Sequence, residues 1–189
     1  MNILNVIKKL FTKQQVQVVS PITLDFINKL DTTKTYVALE IGYSSVAKII
    51  QALEHKVYGN VSPNELASHA FALRFKNGQW YVWENHLKWG GIKEYPLSEY
   101  NAGSCDKLLV KPYPLDLTSM DYWLKHNPGY SCLNLAEITI ERLTSLTLPD
   151  TKGWVCSQAI AACNFNICLD LNQEFQNIAP ADFQVYLKG

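Results

Sequence analysis

The sequence has no surplus of charge of either sign: 17 Lys and Arg balance 17 Asp and Glu in 189 residues. That balance leaves no basic field to hold nucleic acid or an anionic membrane by bulk electrostatics, so a partner must be read by a local site. Long apolar runs are missing too, and no stretch reaches the roughly 18 apolar residues a membrane span requires. Cysteine is scarce and unpaired. Its five positions, Cys105, Cys132, Cys156, Cys163 and Cys168, are odd in number and contain no C-x-x-C pair. This argues against a disulfide framework and against a zinc knuckle. Repeats and low-complexity tracts are also lacking.

What is present is apolar mass: 48% of the residues are hydrophobic and 12% aromatic, enough for one substantial core. One domain is expected over 35–189, preceded by an N-terminal helix and connecting arm over 1–34. In "MNILNVIKKLFTKQQ" the apolar Ile3, Leu4, Ile7, Leu10 and Phe11 fall at helical spacing and are broken by Lys8, Lys9 and Lys13. That is not the continuous apolar core of a signal peptide, so a reduced, cytoplasmic location is expected. Residues 1–13 read as a helix that docks on its own domain, on a partner or on a membrane surface.

"YVALEIG" (Tyr36 to Gly42) reads as a first strand, and "SSVAKIIQALEHK" as a helix capped by Ser44 or Ser45 with Val46, Ile49, Ile50 and Leu53 on one face. "KWGGIKEYPL" predicts a turn at Gly90-Gly91 and a short strand, and "LLVKPYPLDL" an edge strand. Two helices follow, "SMDYWLKHN" stopped at Asn127-Pro128-Gly129 and "CLNLAEITIERL" (Cys132 to Leu143). "NIAPADFQVYLKG" is expected to close the chain as a short turn and strand.

The central stretch "SHAFALRFKNGQWYVWENH" carries the strongest local signal. Asn77-Gly78 between two alternating runs marks a two-residue hairpin loop, because both central residues of a type I′ turn need positive φ. Facing pairs then sum to 155, which sets His69 opposite His86 and Phe71 opposite Glu84, with Glu84 diagonal to His69 on the same face. A one-residue slip would present Asn85 instead of Glu84, and either can accept an imidazole N–H.

"GWVCSQAIAAC" places Cys156 just ahead of an Ala-rich helical run. There the first-turn N–H groups and the helix dipole favour thiolate over thiol. A cysteine, a histidine in reach and an acid or amide on the far ring nitrogen make up the nucleophile, base and orienter of acyl transfer, with the N–H of Cys156 donating to the developing oxyanion. The alternatives are plain. Cys156 can be a small buried hydrophobe, as Cys163 and Cys168 are read to be, and His69 a satisfied core histidine. Glu84 between Trp83 and Asn85, on a strand apolar on both faces, demands a partner. His69, Glu84 and His86 on one face could instead hold a metal.

Taken in order, these motifs resemble the circularly permuted NlpC-type, papain-like cysteine hydrolases, in which the histidine strand precedes the cysteine helix. "WVCSQAIAAC" looks like their cysteine helix, "ASHAFALRF" like the histidine strand, "YVWENH" like the next strand with its acidic residue, and "GGIKEYPLSEY" like the strand after it. "IGYSSVAKIIQAL" is similar to the loop and helix ahead of the histidine, and "IAPADFQVYL" to the Pro-x-Asp ending. The likeness spans Thr35 to Leu187, and it departs in lacking the Gly-Asp that commonly opens the first strand and in carrying Gln158 where Glu is usual. The resemblance implies an α+β fold, an antiparallel sheet or half-barrel packed against a helix with the cysteine at its amino terminus. It implies Cys156 as nucleophile, His69 as base and Glu84 as third member, with Tyr130 near the oxyanion or a wall residue. Tyr43 and Trp154 are further candidates for contact with substrate, Trp80, Trp83, Trp89 and Trp154 being aromatics that either line a cleft or pack in the core; no cofactor is expected. The activity implied is cleavage or transfer at an amide or ester through a thioester, on a small peptide, amide or lipid-ester substrate, with a peptidoglycan stem-peptide amide preferred. Reaching a wall would then require lysis, a phage particle or a secretion system. A catalytically silent binding module on the same fold is the reading from a different class.

Overall fold

A computed structural model describes residues 26–101, 105–144, 152–164, 166, 168 and 175–188. The expected helix within residues 1–13 lies outside them. The chain is α+β: β1 (Tyr36–Gly42), α1 (Ser45–Val57), β2 (His69–Lys76), β3 (Gln79–His86), β4 (Gly91–Pro96), β5 (Cys105–Pro112), α2 (Leu117–His126), α3 (Cys132–Thr144), α4 (Cys156–Ala161) and α5 (Pro180–Lys188). One five-stranded sheet runs β4-β3-β2-β1-β5, and every neighbouring pair is antiparallel. The strand with two nearby prolines, β5, is an edge, as its missing N–H donors require.

The hairpin is built as its turn chemistry dictates. Asn77 and Gly78 have φ of 51° and 80°, and the ladder runs Ala72↔Trp83 to Lys76↔Gln79, so facing pairs sum to 155. Alternation then divides the sheet into two faces. Ala38, Phe71, Leu73, Trp80, Val82 and Tyr95 pack on one, where the core reaches back to the fully buried Ile27. Val37, Leu39, Ala70, Ala72 and Trp83 pack on the other, against Met120 of α2, Ala159 and Ile160 of α4 and Phe183 of α5. Two alanines on β2 keep that surface low where the short α4 lies on it.

Two expectations are corrected. The C-terminal segment is a helix, not a turn and strand: Pro180 is its first residue, where a missing N–H is harmless, and Asp182 Oδ2 accepts the N–H of Ala179 at 2.7 Å. The buried face of α1 is Ala47, Ile50, Gln51 and Glu54 instead of Val46, Ile49, Ile50 and Leu53. The helix is rotated because its polar residues find partners inward. Gln51 Nε2 donates to the carbonyls of Gly42 and Leu66, each at 3.0 Å, and Glu54 accepts the N–H of Ala181. Val46 is left 41% exposed. Its cap is as expected, with Ser44 accepting from Ala47 N–H at 3.1 Å.

Candidate active site

His69 opens β2 and Glu84 lies near the end of β3, so the hairpin register carries the carboxylate to the ring. His69 Nε2 and Glu84 Oε2 are 2.6 Å apart, both residues being buried. The other carboxylate oxygen is also occupied: Glu84 Oε1 accepts from Tyr95 OH at 2.7 Å and from Trp89 Nε1 at 3.2 Å. Burial alone would push Glu84 towards the neutral acid. The hydrogen bond and charge of His69, with the Tyr95 hydroxyl, outweigh it and hold the carboxyl down at about 2.

Cys156 is the first residue of α4, and its side chain is within hydrogen-bonding reach of the His69 ring. With Nε2 committed to Glu84, Nδ1 is the ring nitrogen left for sulfur. Burial works to discharge His69, but the charge and hydrogen bond of Cys156, then those of Glu84, raise its pKa well above the imidazole range. The imidazole is therefore bonded to the Glu84 carboxylate and feels the charge of the Cys156 side chain. Cys163, by contrast, is a packed thiol whose pKa burial pushes up to about 12. Cys105, Cys156, Cys163 and Cys168 are all free thiols.

Asn85, the alternative partner for the ring, points to the opposite face. Its Nδ2 donates to the carbonyls of Gly129 and Trp154, at 3.2 and 2.9 Å, tying together the two loops that lead into α3 and α4. Gln158, where the resembled family usually has Glu, anchors the same end of α4. Its Oε1 accepts from Val155 N–H at 2.9 Å and Asn134 Nδ2 at 3.1 Å, and its Nε2 donates to Gln176 O at 2.9 Å. Burial there favours a neutral amide, which can donate as well as accept, over a carboxylate.

A cleft of about 360 Å³ opens beside the ring, lined by Glu40, Val46, Ile50, His69, His86, Leu87, Lys88 and Tyr130 among others. Cys156 keeps 2% exposure and His69 8%, and of the two only His69 lines the cleft. A larger hollow of about 550 Å³ is lined by Asn28, Phe75, Trp80 and Tyr100. It does not touch His69, whereas the smaller cleft has His69 on its wall. Of the other residues singled out, Tyr130 lines this cleft, while Tyr43 sits between lining residues Gly42 and Ser44. The Trp154 ring packs between Trp123 and Phe175, at 4.5 and 5.3 Å between centroids.

His69, Glu84 and His86 share one face, yet among the described residues no group of three or more His, Cys, Asp or Glu side chains is arranged to hold a metal ion. The lone pairs they would need are spent on each other, on Tyr95 and Trp89, and on the N–H of Lys88. Among the described residues, no helix is long and apolar enough to cross a membrane.

Tyr95 is a site residue that sequence reasoning missed, and Trp89, expected as a cleft or core aromatic, is instead a donor to Glu84. Tyr95 was within reach, since β4 pairs Lys93 with Glu84 and Tyr95 with Val82, putting Tyr95 on the Glu84 face by alternation from Gly91. Trp89 lies in a 3-10 turn over Leu87–Trp89, which leaves no periodic signal. Compared with models of known protein families and with curated proteins, the chain matches none.

Proposed function

We propose that this chain is a cysteine hydrolase or acyl-transfer enzyme that breaks an amide or ester bond through a thioester on Cys156, on a permuted, NlpC-type papain-like fold. The observation that carries this reading is the His69 ring bonded to Glu84 and near enough to Cys156, at the start of α4, for the two to interact electrostatically. The chain order is in keeping with the fold proposed, the histidine strand β2 coming before the cysteine helix α4.

In the mechanism, the proton of the Cys156 thiol already rests on His69 Nδ1, the imidazolium being steadied by Glu84, and the sulfur attacks the substrate carbonyl carbon as thiolate. The carbonyl oxygen, now carrying the electron pair, accepts from the N–H of Cys156 at the start of α4. Collapse of the tetrahedral adduct re-forms the carbonyl and expels the amine or alkoxide, which takes the proton from His69. Water or another acceptor, deprotonated by the same ring, then attacks the thioester and frees the sulfur. The resemblance supplies the substrate side: a peptide amide such as a peptidoglycan stem peptide, or a lipid ester.

The test is to incubate the protein with p-nitrophenyl acetate and with a stem-peptide amide, and to read intact mass and peptide maps. An acyl adduct on Cys156 that turns over, and is absent in Cys156→Ala, is the expected result. Adducts spread over all the cysteines, or turnover that survives Cys156→Ala, would contradict it. The second reading, a silent binding module, is favoured by the 2% exposure of Cys156. It predicts no adduct at that residue.

A further inference from the structure

His86 takes no part in the mechanism above, yet it is built into the same site. Its ring stands edge-on to His69, with centroids 5.1 Å apart at 85°. It caps the turn after β3, its Nδ1 accepting the N–H of Lys88 at 2.9 Å. An Nδ1 that accepts is unprotonated, so the ring proton sits on Nε2. Among the described residues no group partners Nε2, and it is not among the buried polar atoms left unsatisfied. Since His86 lines the cleft with His69, that N–H is a donor available beside His69. Val46 and Leu87, 41% and 50% exposed, line the same cleft and offer apolar surface.

We propose that His86 is a substrate-binding residue, whose tautomer, fixed by the Lys88 N–H, presents Nε2–H to an acceptor oxygen of an acyl substrate held in the cleft beside His69. This rests on the acyl-transfer reading above. Burial, and next the positive charge of His69, lower the pKa of His86, which keeps the ring a one-proton donor while its neighbour is charged. The ligand chemistry is a carbonyl compound, its oxygen on His86 and its apolar substituent along Val46 and Leu87.

The test separates binding of an oxygen from activation of sulfur. His86→Phe keeps a ring packed on His69 and removes the donor, and His86→Gln restores an N–H. Two rates at Cys156 are measured by mass spectrometry: acylation by p-nitrophenyl acetate, over a concentration series, and alkylation by iodoacetamide. The expected result is that His86→Phe slows acylation about tenfold, mainly through the concentration dependence, with alkylation changed less than about twofold and His86→Gln recovering most of the loss. Unchanged acylation in His86→Phe would overturn the proposal. So would equal loss of both rates without recovery in His86→Gln, which would mark His86 as packing for His69. Failure of the unaltered protein to acylate at Cys156 at all is a separate result on the same spectra, and it would overturn the acyl-transfer reading itself.

Discussion

Glu84 and Glu54 are both carboxyls sealed in the interior, and they are driven in opposite directions. Glu84 has a histidine on one oxygen and two donors on the other, and its pKa falls to about 2. Glu54, in α1, receives one N–H from Ala181 on Oε1, while Oε2 has no partner. Burial, and then the nearby negative charge of Asp182, raise its pKa well above the ordinary 4.5. Burial raises the cost of charge equally in both places, and the partners decide whether the charge survives. Where they are cations and donors, the result is a charged group against an ionisable ring. In the Glu54 region the ion pair belongs instead to Arg142 and Asp182, 2.5 Å apart, with Tyr58 bonded to both, and it ties α1, α3 and α5 together.

The largest way to break this contrast is to remove the nucleophile. Cys156→Ala should abolish acyl turnover while midpoint and slope in urea unfolding stay close to those of the parent, as expected for one small buried side chain. Loss of folding in this variant would place Cys156 with the structural cysteines.

Next in size, Asp182→Ala should cost about 3–5 kcal/mol in urea unfolding, because Arg142 is then buried without its counter-charge. Iodoacetamide labelling of Cys156 in the folded variant should keep its rate. A stability loss under about 1 kcal/mol would mean that the Arg142 network is looser than its geometry.

The two glutamates should then respond to pH with opposite sign. Glu84 binds fewer protons folded than unfolded, so its contribution is complete above 4.5 and is lost as pH falls towards about 2. Glu84→Gln should cost roughly 3 kcal/mol near neutral pH, with the difference from the parent shrinking in acid. Glu54 binds more protons folded than unfolded, so its contribution is undiminished below 4.5 and declines as pH rises above it. Glu54→Gln should therefore gain on the parent as pH rises. Parallel pH profiles for the two variants would contradict the assignment.

The smallest effect is expected from Tyr95→Phe, which removes one of the two donors on Glu84 Oε1. A loss of about 1 kcal/mol and an upward drift of the acid transition in unfolding are predicted. An unchanged acid transition would leave Trp89 and His69 as the groups that hold Glu84 charged.

Much of this arrangement was legible in the chain because it rests on local rules. Asn77-Gly78 dictates its turn, the turn dictates the register, and the register brings Glu84 to His69 and sends Asn85 to the other face. Cys156 was readable as the start of a helix from "CSQAIA". What was not legible depends on long-range partners. The rotation of α1 comes from Gln51 and Glu54 finding acceptors and donors in Gly42, Leu66 and Ala181, which no helical period encodes. The C-terminal helix was misread because its apolar residues alternate over a short stretch, while Pro180 and Asp182 carried the helical signal. The near-complete burial of Cys156 belongs to tertiary packing alone.

The most direct measurement is selective alkylation of the native protein with iodoacetamide at about pH 6, where ordinary thiols are mostly protonated, followed by mapping of the label. Rapid, selective modification of Cys156 that is lost in His69→Ala is the result predicted. Slow, even labelling of the five cysteines, indifferent to His69, would contradict the claim that ring and sulfur act together.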